Sequence, residues 1–356
     1  MMRQGIRSGM GSEERDDMSD RSSPDPIRIV AIGEALIDIV QTDTSISEHP
    51  GGSPMNVAFG LGRLGEHARL LTSIGDDARG RAIASHLDSA GVALVDGSIA
   101  AGRTSTAIAR LDGDGAARYE FDIRWELPEG QTPSPTGPDA DWARADLIHI
   151  GSIGSFLEPG ASTVERLVTA LRPSTLVTFD PNVRPALVDG ATVALARFER
   201  LAASADLVKL SDEDAAWLYP DANVEAVLTH LFELGVVVAA VTLGANGAIL
   251  ATRDARVDVP GVAVTVADTI GAGDSFMSAL VHRLARLLAA GATRDAVRDG
   301  SAVTPEVLAA MGFFAVDCAA ITVSRPGANP PTLAEVNALP AYAGASPTIR
   351  ILPLPK

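Results

Sequence analysis

The chain of 356 residues carries 45 acidic and 29 basic side chains, which gives a net charge of −16 and a pI near 4.7. This charge balance excludes a nucleic-acid-binding surface, because such a surface needs a basic footprint. The single cysteine, Cys318, excludes an intrachain disulfide and a thiolate metal cluster.

The chain opens with a polar, acidic segment over residues 1–26, in which no apolar stretch of the signal-peptide type occurs. Such a composition buries too little apolar surface to fold, so we expect this segment to be disordered and the folded domain to begin near Ile27. No apolar run reaches the length of a membrane span, and we expect a cytoplasmic protein without a membrane partner.

Strands and helices alternate through the first part of the chain, and the pattern changes after residue 91. Between 92 and 124 the runs become short and alternate between apolar and polar residues, which predicts antiparallel β structure. Before that change, hydrophobic periodicity predicts a strand over 27–40 that breaks at Gly33, a helix over 53–65, a strand over 68–75 and a helix over 78–91.

After a Pro-rich connection at 128–138, near-continuous apolar strands separated by helices imply a parallel sheet covered on both faces. We therefore predict an α/β fold: a doubly wound, mostly parallel sheet with helices on both faces, plus a small β element. Residues 341–356 are expected to form a loosely attached tail. The predicted strands lie at 145–152, 175–182, 205–211, 236–244, 247–254 and 255–261, and the predicted helices at 161–171, 213–219, 224–235, 275–290 and 304–320.

In sheets of this kind, ligands bind beyond the carboxyl ends of the strands. The polar residues that follow predicted strands are therefore candidates for a site, whereas His149, inside an apolar run, is expected to belong to the core or to support a site from behind. These candidates are Asp38, Asp180, Asn182, Arg184, Lys209, Ser211, Thr242 and Asp268.

The segment DTIGAGDSF, residues 268–276, places a carboxylate where a glycine turn opens into a predicted helix. An acid there can cap the helix, because it accepts hydrogen bonds from unpaired backbone N–H groups at the positive end of the helix dipole. The same turn also points N–H groups outward and forms an anion site. Asp274 could then take a proton from a group that attacks a bound phosphate. Taken alone, this segment favours the cap.

Two longer segments, GGSPMNVAFGLGRLG at 51–65 and DTIGAGDSFMSALV at 268–281, resemble the two signatures of the ribokinase-like (PfkB) family of carbohydrate kinases. GEALID, DPNVRP, KLSDED and TLGANG lie between them in the family's order, and the resemblance extends over about 27–340. GEALID and DPNVRP are especially similar to the fructokinase branch.

The resemblance implies an ATP-dependent sugar kinase that uses Mg²⁺, with one ribokinase-like domain over 27–340. It also implies that the small β element, from parts of about 34–52 and 92–125, forms a lid over the active site. In this family the lid is often a dimer surface as well.

Within this resemblance, Asp274 matches the general base that takes the proton of the sugar hydroxyl, which reverses the preference for a cap. The N–H groups of Gly271, Ala272 and Gly273 would form an anion hole for the developing charge, and Arg184 would meet a sugar oxygen or the phosphoryl group. Without the resemblance, Arg184 would be assigned to a surface ion pair, Asn56 to a helix cap, and Gly51 and Gly52 to an ordinary turn. The implied sugar contacts are Asp38, Gly51, Gly52, Asn56, Asn182, Phe121 and Arg124.

KLSDED departs from the family's common Asn-x-x-Glu pattern, because Ser211 stands at the Asn position and Asp214 at the Glu position. Asp214 and the adjacent Glu213 are the candidates for Mg²⁺, held through water. Lys209 is open to two interpretations, contact with a nucleotide phosphate or a solvated lysine. The nucleotide candidates are Lys209, Ser211, Thr242, Gly244, Gly247 and Asp317, and those for a monovalent cation such as K⁺ are Asp268, Ile270, Ser324 and Gly327.

Three other interpretations are weaker. A dinucleotide-binding enzyme is suggested by GLGRLG at 60–65, but this segment lies within a predicted helix instead of at a strand-to-helix turn. A P-loop kinase is disfavoured because no phosphate-loop Gly-Lys-Ser/Thr motif occurs. A non-catalytic sugar-binding regulator of the same fold is disfavoured by the intact GAGD. Among substrates, fructose is the first expectation, followed by 2-keto-3-deoxygluconate and then by ribose or a nucleoside.

Overall fold

In the computed structural model, which describes residues 26–42, 44–111, 117–127 and 142–339, a nine-stranded sheet forms the centre of the molecule. From edge to edge its strands are β15 (Arg256–Val259), β14 (Ala248–Ala251), β13 (Val238–Thr242), β12 (Leu207–Ser211), β11 (Leu176–Asp180), β10 (Leu147–Gly151), β1 (Arg28–Ile32), β4 (His67–Leu71) and β6 (Ala93–Leu94). Neighbours from β13 to β6 pair in parallel, whereas β14 and β15 add an antiparallel edge.

Strand β1 shows how the sheet is covered on both faces. Ile29 and Ala31 belong to one hydrophobic cluster and Val30 and Ile32 to another, because successive side chains of a strand point to opposite faces. Every residue of β10 and β11 is buried, as expected for parallel strands with helices on both faces. The predicted fold class is confirmed.

Ten helices cover these two faces within the described residues. The sequence analysis gave no helix between β11 and β12, where the structure has one at Ala191–Ala202, and none in the polar stretch that forms a helix at Arg294–Arg298. The first cluster is covered by α1 (Ser53–Arg63), α2 (Ala78–Asp88), α7 (Ala272–Ala289), α8 (Arg294–Arg298), α9 (Pro305–Val323) and α10 (Leu333–Asn337), and the second by α3 (Gly160–Leu171), α4 (Ala191–Ala202), α5 (Asp212–Leu218) and α6 (Val224–Leu234).

A separate four-stranded sheet lies beside the main one, in the order β3 (Ile46–Gly51), β2 (Leu36–Gln41), β8 (Thr106–Leu111) and β9 (Ala117–Asp122). The predicted break at Gly33 is where the chain passes from the main sheet to this small one. A Cβ at Gly33 would lie 2.3 Å from Cγ of Pro54, so the residue at the break must be small. The antiparallel structure predicted for 92–124 is found between β8 and β9. The prediction did not include parallel pairing, and β8 pairs in parallel with β2 on its other side. Two short strands, β5 (Ile74–Gly75) and β7 (Ile99–Ala100), pair in parallel as a third, two-stranded sheet.

Helix α9 qualifies the expectation that no apolar run reaches the length of a membrane span. Among the residues that the structure describes, it is the one helix long and apolar enough to cross a membrane by length and composition. Half of its apolar window is buried, where the helix packs against α7, β14 and β15. We therefore assign it to the core. The predicted disordered segment, apart from residue 26, the Pro-rich connection and the tail lie outside the described residues.

Candidate active site

Two cavities meet at the N-terminus of α7, one polar and one largely apolar. The polar cavity, of about 720 Å³, lies beyond the carboxyl ends of the parallel strands, and the apolar cavity, of about 530 Å³, lies between α7, α9 and residues 261–266. Thr242, Gly244, Thr269 and Gly273 line both. The acidic residues of the polar cavity are Glu34, Asp38, Asp212, Glu213, Asp214 and Asp274, and the large apolar residues of the other are Val262, Val264, Val266, Phe276, Val316 and Val323.

Asp274 lies in the first turn of α7 and lines the polar cavity, with 8% of its surface exposed. Its carboxylate accepts hydrogen bonds from Ser53 Oγ at 2.6 Å and from Asn56 Nδ2 at 2.8 Å, both on α1. The N-cap residue of α7 is Gly271, and no side chain caps this helix. Asp274 is therefore held by a neighbouring helix and does not act as the cap.

The glycine turn before Asp274 has a conformation that fits glycine. Gly271 has a φ of +76°, and a Cβ there would lie 2.6 Å from Cβ of Ala328. The N–H of Ala272 makes a long bond of 3.3 Å to the carbonyl of Thr269. Gly271 lines the polar cavity, Ala272 lines the apolar one and Gly273 lines both, so this turn separates the two compartments.

Asp38 and the glycine pair at the start of α1 form one wall of the polar cavity. A Cβ at Gly51 would lie 1.9 Å from Oδ2 of Asp38, and Gly52, with a φ of +105°, packs against the carbonyl of Glu34. Burial and the charge of Asp274 raise the pKa of Asp38 to about 6, although Arg184 acts in the opposite direction. Gly51 does not itself line the cavity, and its small size leaves room for the Asp38 carboxylate.

The segment after β11 supplies another part of the cavity wall. Asn182 has a left-handed φ of +37° and lines the cavity together with the exposed Arg184. Phe121 of the small sheet also lines this cavity. Arg124 does not line it; its guanidinium points to Glu126 at 3.4 Å, and its side chain is 77% exposed.

Lys209 is not solvated. Its side chain is 4% exposed, and its Nζ lies 2.9 Å from Oδ2 of the fully buried Asp180. Ser211 is the N-cap of α5 and forms a capping box with Asp214. The other carboxylate oxygen of Asp214 accepts the N–H of Val183 at 2.8 Å. Asp214 therefore links α5 to the segment after β11 and has both oxygens engaged.

Glu34 and Ser152 are cavity residues that the sequence analysis did not select. Glu34 is 2% exposed, its Oε2 accepts the N–H of Gly154 at 2.7 Å, and its Oε1 has no hydrogen-bond partner. Burial raises its pKa to about 7. Ser152 has a φ of +51°, which is uncommon for a residue other than glycine. The acid directly after the break at Gly33 was the signal available for Glu34; nothing in the local pattern marked Ser152.

Of the remaining candidates, Ile270 lines the polar cavity and Gly247 the apolar one, whereas Asp268, Asp317, Ser324 and Gly327 line neither. Val316, the neighbour of Asp317, lines the apolar cavity. Asp268 accepts the N–H of Gly327 at 2.9 Å and that of Ile270 at 3.0 Å, so these three residues come together as expected. Ser324 lies in the adjoining turn, where its hydroxyl donates to the carbonyl of Ile321 at 2.7 Å.

His149 is fully buried, and its Nδ1 lies 3.1 Å from Thr178 Oγ1. Burial, with a smaller effect of the charge of Lys209, lowers the pKa of His149 to about 3. It is a neutral core residue, as the apolar run around it predicted. Across the described part of the chain, no group of three or more His, Cys, Asp or Glu side chains is arranged to hold a metal ion.

Comparisons with known proteins agree on one family. The profile of the pfkB family carbohydrate kinases matches residues 27–335. The chain is 33% identical over 261 residues to a fructokinase from Rhizobium leguminosarum bv. trifolii, which covers 72% of this chain and 79% of that protein.

Two solved structures are similar to this chain. A fructokinase from Xylella fastidiosa with bound ATP has a TM-score of 0.75 and 26% identity, over 87% of this chain and 97% of the other. A fructokinase double mutant from Vibrio cholerae O395 with fructose, ADP and a potassium ion has a TM-score of 0.70 and 25% identity, over 88% and 97%.

Proposed function

The chain belongs to the PfkB family of carbohydrate kinases, and we propose that it transfers the γ-phosphate of ATP to a hydroxyl group of fructose. The observation that carries this proposal is the meeting of the two cavities at the N-terminus of α7. The apolar cavity suits the flat adenine ring, and the polar cavity suits a sugar. The γ-phosphate would then lie beside the Gly271–Gly273 turn, with Asp274 on the sugar side.

In this proposal, Asp274 takes the proton of the attacking hydroxyl. The sugar oxygen forms a bond to the γ-phosphorus, and the bond from that phosphorus to the leaving oxygen of ADP breaks. The backbone N–H groups of Gly271 and Gly273 would stabilise the negative charge on the transferring group, whereas that of Ala272 is directed to the carbonyl of Thr269. Ser53 and Asn56 keep the Asp274 carboxylate in place through their hydrogen bonds.

The described residues fit Mg²⁺ held largely through phosphate and water. Asp214 has both oxygens engaged, whereas the exposed Glu213 faces the polar cavity beside Asp212. Mg²⁺ commonly uses one or two carboxylates, several waters and the nucleotide phosphates. When bound, it would neutralise charge on the phosphates. Glu213 and Asp212 would hold it through water, and Asp214 would keep α5 in position.

The charge of the polar cavity favours a neutral sugar over a sugar acid. Glu34, Asp38 and Asp274 surround the part of the cavity near α1. The cationic residues of the lining are Arg184 and Lys209, and Lys209 is already paired with Asp180. A carboxylate on the substrate would meet these acids, whereas hydroxyl groups can donate hydrogen bonds to them. We therefore place fructose before 2-keto-3-deoxygluconate. Asp38, Asn56, Asn182 and Phe121 are the sugar contacts that we propose.

The small sheet contributes Asp38 and Phe121 to this cavity, and we propose that it is the lid of a single kinase domain that starts near Ile27. A dimer through this sheet and a monovalent cation near Asp268 also belong to the proposal. The hydrogen bond from the N–H of Gly327 to Asp268 supports a cation site here, because it fixes a carboxylate next to the turn that precedes α7.

A coupled assay of ADP release with Mg²⁺-ATP tests the proposed function over fructose, 2-keto-3-deoxygluconate, ribose and adenosine. We expect the highest kcat/KM with fructose, and at least tenfold less with the sugar acid, because discrimination through buried polar groups is commonly of this size or larger. A reaction fastest with another sugar would reject fructose and retain the kinase. Tight sugar binding with no sugar-dependent ADP release would favour the non-catalytic regulator.

A further inference from the structure

A buried ion pair lies at the wall of the polar cavity, where two central strands end. Lys209, the third residue of β12, and Asp180, the last residue of β11, meet at 2.9 Å, and their side chains are 4% and 0% exposed. Asp180 Oδ1 has no hydrogen-bond partner, so Lys209 is the polar partner that the structure gives to this carboxylate. Buried charges are costly unless they are paired, and within this pair Lys209 also lines the polar cavity.

The ammonium group of Lys209 lies against the first turn of α7. A Cβ built on Gly273 would be 3.2 Å from Nζ of Lys209. Gly273 lines both cavities, and Lys209 lines the polar one. A cation beside a helix N-terminus is unfavourable by itself, because the helix dipole is positive there. Two positive groups at this point suit a site that receives a highly charged anion.

The lysine stays charged in this environment. Burial alone would lower the pKa of Lys209, but the carboxylates of Asp180, Asp214 and Asp274 outweigh this effect and raise it above its ordinary value. Lys209 is thus a fixed positive charge and not a proton donor in the neutral range. Among the residues that the structure describes, Asp180 is the acid that forms a direct ion pair with Lys209 and so fixes its position.

We propose that Lys209 is a catalytic residue that stabilises the γ-phosphoryl group during its transfer, and that Asp180 is the positioning residue that holds the ammonium beside the α7 N-terminus. This inference rests on the proposed function and adds a side-chain cation to the backbone anion hole. In the step itself, the sugar oxygen binds phosphorus, ADP leaves and the proton passes to Asp274. Lys209 keeps its protons throughout and acts only by its charge.

The test compares Lys209→Met, Asp180→Asn and the double variant in single-turnover and steady-state assays with Mg²⁺-ATP and the preferred sugar. Lys209→Met should lower kcat by about a hundredfold to a thousandfold, the usual effect of removing one such donor. Sugar affinity, measured by calorimetry without nucleotide, should stay within about threefold. Asp180→Asn should lower kcat at least about tenfold, and adding it to Lys209→Met should lower kcat no further, because both changes remove the same interaction.

A matched control for a buried acid is Asp206→Asn. Asp206 is 1% exposed and is ion-paired with Arg172 at 2.9 Å and with Arg298 at 3.2 Å. It directly precedes β12, at the end of that strand opposite to the polar cavity, and does not line the cavity. This variant should lose thermal stability and keep its kcat. If Asp180→Asn behaves in the same way, Asp180 is only structural and the proposal is wrong. Multiplicative effects of the two changes on kcat would also overturn it.

One further variant and one binding assay separate loss of the Lys209 charge from failure to fold and from failure of the proposed function. Lys209→Arg keeps the charge and should retain more kcat than Lys209→Met. If the wild-type protein transfers phosphate to no sugar tested, the proposed function fails, and the lysine is then tested by calorimetry with a non-hydrolysable ATP analogue and with adenosine. Lys209→Met should weaken the analogue at least tenfold and leave adenosine unchanged; equal effects on both would reject any phosphate contact.

Discussion

Replacing Asp274 by Asn tests the assignment of the general base, because it removes proton acceptance and keeps side-chain size. The carboxylate accepts from Ser53 and Asn56, and an amide can keep both bonds if the Ser53 hydroxyl accepts or the Asn56 amide turns. The charge-assisted bonds become neutral, but repulsion of Asp38 and Glu34 by the Asp274 carboxylate disappears at the same time. We therefore expect stability to change by no more than about 1 kcal/mol. Loss of a general base typically lowers turnover by about 10² to 10⁴.

The assay follows kcat with saturating Mg²⁺-ATP and sugar, alongside melting temperature and sugar affinity. A melting shift of less than about 3 °C is expected with the large fall in kcat. Asp77→Ala serves as a control for a true cap, since Asp77 caps α2 by accepting from Gly80 at 2.7 Å. That variant should lose about 1 kcal/mol or more of stability and keep its kcat. An Asp274→Asn enzyme with kcat within about threefold of wild type would refute the base.

Two further predictions concern the part of the polar cavity near Asp38 and Glu34. Gly51→Ala should raise the KM for the sugar at least about tenfold with little effect on the KM for ATP, because the new Cβ would displace the Asp38 carboxylate, 1.9 Å away. The control is Gly91→Ala, at a φ of +72° with open space around it, which should change only stability. Equal effects of the two substitutions on the KM for the sugar would contradict the argument. Burial raises the pKa of Glu34 from 4.5 to about 7, so the folded protein holds a proton that the unfolded chain has released, and stability falls by up to about 3 kcal/mol as pH rises through this interval. The melting temperature of Glu34→Gln relative to wild type should accordingly increase from pH 4.5 to 7; a constant difference would show that this carboxyl does not titrate there.

The elements of the main sheet could be predicted from sequence because their burial leaves a direct mark on composition. Strands such as β10 and β11 are buried at every position and appear as continuous apolar runs. Helix α4 was missed between two such runs, although its buried residues Ala194, Phe198, Leu201 and Ala202 follow helical spacing. The parallel pairing of β2 with β8 was missed for another reason, since local alternation carries no information about the partner strand.

The glycine pattern GLGRLG shows how a motif acquires meaning from its packing. Gly60 lies in α1 where a Cβ would be 2.5 Å from Ser278 Oγ of α7, and a Cβ at Gly62 would be 2.4 Å from the carbonyl of Ala90. These glycines therefore allow close approach of neighbouring elements and do not form a phosphate turn. The structure thus agrees with the context argument that set the dinucleotide interpretation aside.

The site residues that could not be assigned from sequence depend on long-range contacts. Ser53 donates to Asp274 across 221 positions of the chain, and Lys209 meets Asp180 across 29. Spacing could place Lys209 within a predicted strand near its carboxyl end but could not distinguish a solvated lysine from a buried one. The distinction depends on which neighbouring strand ends in an acid, and that follows only from the strand order of the folded sheet.

The balance of charge in the polar cavity explains why nucleotide binding here would require a divalent cation. Six carboxyl groups and two cationic side chains, Arg184 and Lys209, line the cavity. A triphosphate entering alone would meet more negative than positive charge, and the overall charge of −16 adds to the repulsion. In the proposed kinase, Glu213 and Asp212 would attract a divalent ion to the phosphate end, where it would offset this repulsion, while Lys209 and the α7 N-terminus would act on the terminal phosphate. The acids therefore suit both a neutral, hydroxyl-rich sugar and a metal-bound nucleotide, and the same carboxylates disfavour free ATP and acidic sugars.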